Sequence, residues 1–154
     1  MAIMDAKLSF MDAQSLAGSA DATVTGNVID LGPAVDWNGT AVNPNVGRGE
    51  PIYIHARIGT AVAGNAATGT IALFLQNSTA NSAASFSNLV NMNLAGASSM
   101  TQNLLTAGKL VYSAALPPVC KRYLRVKGTV GAATCSAGTV DVWLDSASLP
   151  KSYE

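Results

Sequence analysis

Alternation constrains this chain more than any other feature. In KRYLRVKGTV, residues 121–130, Tyr123, Arg125, Lys127 and Thr129 share one parity while Leu124, Val126 and Val130 share the other. This is the period of a β-strand with one face in a core and one in water. The run TVDVWLD, residues 139–145, repeats the pattern after GAATCSAG, and two alternating runs joined in this way read as a hairpin. With Val130 opposite Val140, Arg125 faces Asp145, Lys127 faces Trp143 and Thr129 faces Asp141; a slide of two residues puts Lys127 opposite Asp141 and Arg125 opposite Trp143. The basic strip holds four of the nine cations. Cross-strand pairs worth about 0.2 to 1 kcal/mol each are expected to neutralise it locally.

The same period recurs. Ile52, Ile54, Ala56 and Ile58 alternate with Tyr53, His55 and Arg57, and Ile71, Leu73 and Leu75 alternate with Thr70, Ala72 and Gln76. Weaker strand candidates lie at 22–31, 89–94, 104–106 and 110–116, bounded by Gly, Pro, Asn or Ser. A helical pattern is confined to a short turn at 12–16, where Asp12 could cap. About eight short strands separated by turns predict an all-β fold, a two-sheet β-sandwich of jelly-roll type. A chain of 154 residues suits one domain that buries roughly 68 to 70% of its unfolded surface. We assign residues 21–154 to that domain. Residues 1–20 lack a core pattern and read as an extended N-terminal arm, so deleting residues 1–12 is expected to leave a folded sandwich.

Net charge is zero and 12% of residues are charged, so no long-range field draws in a polyanion, and nucleic acid is not an expected partner. No apolar run reaches the ~18 residues of a membrane span. The start, MAIMDAKLSFMDAQ, carries acids where a signal peptide would be basic and then apolar; synthesis and retention in cytosol-like conditions are expected. Cys120 and Cys135 would sit about 30 Å apart along the proposed hairpin and read as separate thiols.

Catalytic parts are missing. His55 is the one histidine and lies on the polar parity of its strand, an expected surface or interface position. No Gly-x-Ser-x-Gly elbow occurs. Asp141 and Asp145 are about 13 Å apart along a strand, too far for a glycosidase pair. GRGEP leads into a strand and not a helix, so it offers no phosphate cradle. Asp36 with nearby carbonyls is thin support for calcium. No enzyme activity, cofactor or metal is expected.

Two loops stand out. GPAVDWNGTAVNPNVGRGEP, residues 32–51, is long for a compact domain. Trp37 within it reads either as a plug for the end of the sandwich or as an exposed anchor for a partner. QNSTANSAASFSN is expected to be exposed, with Phe86 returning to the core.

Taken together, MDAQSLAGSA, NVIDLG, GRGEPIYIHARI, IALFLQNS and LPPVCKRYLRVKGTVGAATCSAGTVDVWL resemble the cement (decoration) proteins of tailed bacteriophages, with gaps, over most of the chain. The resemblance implies a non-enzymatic β-sandwich synthesised in the host cytoplasm. It would reside in the virion, on the outer surface of an expanded capsid, where it staples major capsid protein subunits. A homodimer is implied, with a trimer as the variant, and neither nucleic acid nor membrane is a partner. Asp5, Lys7, Phe10 and Met11 of the arm and Trp37, Asn43 and Arg48 of the loop are the candidate capsid contacts. Two alternatives stand beside this reading. One is a carbohydrate-binding jelly roll using Trp143, Trp37, Tyr53 or Tyr123; the other is a self-assembling shell or pilus subunit.

Overall fold

The computed structural model of the protein describes residues 8–42, 44, 51–64, 69–118, 120–131 and 133–146. Its strands are β1 (Ser9–Ser15), β2 (Thr23–Thr25), β3 (Ile29–Asp30), β4 (Ala34–Val35), β5 (Ala41–Val42), β6 (Tyr53–Ile58) and β7 (Ala63–Gly64). They continue with β8 (Thr70–Ser78), β9 (Ser87–Asn91), β10 (Met100–Thr101), β11 (Leu110–Ala115), β12 (Tyr123–Val130), β13 (Cys135–Ala137) and β14 (Thr139–Asp145). The helical content of the described residues is limited to 3-10 turns, one of them, Gln102–Leu104, where the alternation at 104–106 suggests a strand.

Two major antiparallel sheets pack together. The first has the order β1-β14-β6-β11; the second has β10-β8-β12-β2, with β9 also on β8 and β3 also on β12. Their inner faces close on one core of Phe10, Ile54, Ile58, Leu73, Leu75, Leu124, Val126, Val140 and Val142. Each long strand supplies alternate residues to it, because successive side chains point to opposite faces. The burial of β12 alternates without a break from Tyr123 to Val130, as its sequence predicts.

The expected hairpin does not form. β12 pairs with β8, Arg125 opposite Gln76 and Lys127 opposite Phe74. β14 pairs with β6, Asp141 opposite Arg57 and Asp145 opposite Tyr53. The two runs lie in different sheets, and none of the expected pairs among Arg125, Lys127, Asp141, Trp143 and Asp145 exists. Both runs carry a full apolar face, and those faces are buried best against each other across the roughly 10 Å between sheets. Between the two runs, β13 pairs with β7. Cys120 and Cys135 are both buried and free.

From residue 9 onward the segment expected as an arm belongs to the first sheet. Residues 9–15 form β1, an edge strand on β14, and not an extension, nor is there a helical turn at 12–16. Phe10, Met11 and Leu16 are each 1% exposed. The pairing shifts register between Ser9 and Met11 and again between Met11 and Gln14. Ala13 sits at a φ of 45°, with its N–H donated to Asp141 Oδ1 at 2.7 Å. Bulges of this kind place consecutive residues on one face, so Phe10 and Met11 both point inward and the alternation is lost. Gly26 fastens the strand from above: its N–H bonds Val126 O, and the N–H of Asn27 bonds Phe10 O at 2.7 Å. A Cβ on Gly26 would lie 2.5 Å from Phe10 O, so the strap can approach β1 this closely only as glycine.

Candidate functional site

The loop at 32–51 contains a small hairpin in which Ala34 pairs with Val42 and Val35 with Ala41. Asp36 organises its tip. One carboxylate oxygen accepts the N–H of Asn38 at 2.9 Å and that of Thr40 at 2.8 Å, while the backbone N–H of Asp36 bonds Thr40 O at 2.9 Å. Gly39 follows at a φ of 80°, a conformation glycine adopts without strain. Trp37 stands on this turn at 92% exposure, beside Val35 and Val42, which are also exposed. It is displayed, not plugged into the sandwich. Trp37, Val35 and Val42 are three exposed apolar side chains on one small hairpin.

Beneath the hairpin lies a groove of about 570 Å³, lined by Pro33, Val35, Val42, Pro44, Thr79 and Arg122 among others. It joins the hairpin to the end of the second sheet. Arg122 is fixed there by Asp30 through two parallel bonds, Nε to Oδ1 at 2.7 Å and Nη2 to Oδ2 at 2.8 Å. It also lies 4.9 Å over the Tyr123 ring. The Arg122 hydrogen bonds, then the Gly32 N–H, lower the Asp30 pKa from the ordinary 3.8 to about 2. A depressed carboxyl contributes stability that is complete above its unfolded pKa and is lost as pH falls through the folded one. The contribution of Asp30 should therefore hold above about pH 4 and disappear toward pH 2. In urea unfolding, the stability difference between the protein and Asp30→Asn should narrow across that window. A difference independent of pH there would refute the pairing.

The structure separates the sequence-based contact residues. Trp37 is at the surface and central to the hairpin. Phe10 and Met11 are core and cannot touch a capsid without unfolding β1. Asp5, Lys7, Asn43 and Arg48 lie outside the described residues.

On the outer face of the first sheet, Asp141 pairs with Arg57 at 3.4 Å, and Arg57 lies 5.7 Å from the Trp143 ring centroid. Trp143 is 9% exposed and His55 is fully buried, so the expectation of a surface histidine fails. His55 does point away from the core, as its parity predicts, but the rings of Tyr53 and Trp143 flank it at 6.2 and 5.4 Å, and its Nδ1 hydrogen-bonds Ser113 Oγ at 3.0 Å. Phe86 likewise does not return to the core; its ring lies under the Arg125 guanidinium at 4.0 Å. Among the described residues no group of three or more His, Cys, Asp or Glu could hold a metal.

Sequence reasoning missed the Asp30–Arg122 pair and the groove. Both join residues far apart in the chain, and no local pattern encodes that meeting. In a comparison with known proteins, no curated protein matches this chain. Residues 10–144 match the Bbp16 family. That span begins in β1, ends in β14 and includes the hairpin and its groove, so the chain belongs to the Bbp16 family.

Proposed function

We propose that the protein is a non-enzymatic capsid cement protein of jelly-roll type, bound to the outer surface of an expanded phage capsid and bridging neighbouring major capsid protein subunits. The observation that carries the reading is the hydrogen-bonded hairpin that presents Trp37 to solvent. A seam between capsomers is covered by shape and a few buried anchors, and tryptophan is among the residues enriched as such anchors. The resemblance of several sequence segments to tailed-phage cement proteins supplies the identity of the shell.

Strand order supports the jelly-roll part. Along the chain the longer strands pass between sheets, β1 to β2, then β6 to β8, then β11 to β12 and on to β14, and the first and last strands lie side by side. That is the course of a ribbon wrapped once around a core. A homodimer on the shell would let each copy engage more than one capsid subunit, so modest affinity per contact suffices. A ligand that binds the lattice and not its dissociated subunits then favours the lattice by linkage. The carbohydrate-binding alternative loses its best ring, because Trp143 is covered by its own neighbours.

Co-sedimentation with empty expanded shells of the cognate major capsid protein tests the proposal. Saturable occupancy and a higher shell dissociation temperature are expected. Absence of binding to intact shells at saturating protein would overturn it, and filaments or large particles formed by the protein alone would favour the self-assembling alternative.

A further inference from the structure

The outer face of the second sheet carries positive charge that the described residues do not answer. With β14 in the other sheet, the acids once expected opposite Arg125 and Lys127 are on the far side of the molecule. Across from Lys127 stand Phe74 and Thr25, and across from Arg125 stands Gln76. Asp30, opposite Tyr123, is occupied by Arg122. Lys127 is half-buried and makes no hydrogen bond or ion pair among the described residues. Arg125 is held in place: Nε donates to Gln76 Oε1 at 2.8 Å, Nη2 donates to Ala83 O at 3.2 Å, and the plane rests on Phe86. Among the described residues these contacts leave the remaining donors of the fork uncommitted and already oriented, the arrangement that suits a carboxylate.

The same geometry selects among anionic partners. Bases would need open rings to stack on, but Tyr123 lies beneath Arg122 and Phe86 beneath Arg125. A polyphosphate chain would need more cations than this face of a neutral protein offers. Two carboxylates are enough to match Arg125 and Lys127, which stand on alternate residues of β12, about 6.6 Å apart along the strand. An extended peptide with acids at alternate positions has that same spacing. We propose that this face is a second docking surface, distinct from the Trp37 hairpin, for an extended protein segment that presents two carboxylates on alternate residues.

The test is a titration of the isotopically labelled protein, followed by NMR, with a blocked peptide Thr-Asp-Thr-Asp-Thr. A peptide with Asn in place of Asp and a thymidine pentanucleotide serve as comparisons. The Asp peptide should shift the amides of residues 123–129 saturably, and the Asn peptide should not. Lys127→Gln, which removes no hydrogen bond or ion pair among the described residues, should weaken binding about two- to fivefold, as expected for one surface ion pair. Lys127→Arg should retain it, and Trp37→Ala should not affect it, which keeps this outcome separate from that of the shell experiment. Equal shifts with the Asn peptide, or affinity unchanged by Lys127→Gln, would overturn the proposal. Preferential binding of the oligonucleotide to this face would overturn it in favour of nucleic acid.

Discussion

Phe10→Ala should lower the free energy of unfolding by about 3 to 5 kcal/mol, the cost of removing a buried phenylalanine and leaving its cavity. The ring is 1% exposed, and the strand that carries it is held on both sides. β14 pairs with β1 along its length, while the strap at Gly26 and Asn27 is bonded to Val126 O and to Phe10 O itself. With the backbone fastened in this way, the site cannot collapse cheaply around a smaller side chain. Urea denaturation should show a lower midpoint with the slope unchanged, since the surface exposed on unfolding is nearly the same. Leu8→Ala, at a position 44% exposed, should stay within about 0.5 kcal/mol of the parent. Deleting residues 1–12 removes Phe10 and Met11 together and should unfold the domain, in place of the folded sandwich that the sequence alone suggests. A loss below about 1 kcal/mol for Phe10→Ala would mean that β1 is not part of the stable sheet.

Why β1 escapes a reading of the sequence, while β6, β8, β12 and β14 do not, is a matter of register. In the latter four, one residue faces one residue along most of the pairing, so burial follows parity and the alternation is visible. In β1 the register shifts twice within seven residues, and each shift moves the apolar side chains to a different parity. Partner choice is illegible for another reason. Alternation says which side of a strand is apolar but not which sheet the strand joins, so β12 and β14 look like a hairpin although they face each other across the core.

His55 shows the same limit at the level of one residue. Its parity places it on the outer face correctly, but its burial comes from Tyr53, Ser113 and Trp143, two of which belong to strands brought alongside by the fold. The hairpin tip is the opposite case. Asp36, Asn38 and Gly39 encode a turn locally, so the position of Trp37 at its apex is readable, and only its direction, outward and not inward, required the structure.

That direction makes Trp37→Ala the sharpest functional test. The indole is 92% exposed and contributes no buried contact to the free protein, so the substitution should change stability by no more than about 0.5 kcal/mol. If the hairpin inserts Trp37 into a pocket between capsid subunits, the same change should cost about 2 kcal/mol or more of binding, roughly a thirtyfold loss in affinity for the shell. Trp37→Phe should recover part of it, since a ring still fills the pocket. Disruption of the turn by Asp36→Ala should weaken binding as well, because it releases the two N–H groups that hold the tip in shape and so raises the entropy lost on docking. The order Trp37→Ala below Asp36→Ala below the parent in shell occupancy, with all three unfolding at nearly the same urea concentration, separates an anchor from a structural residue. Equal occupancy across the three would remove the hairpin from the contact with the shell.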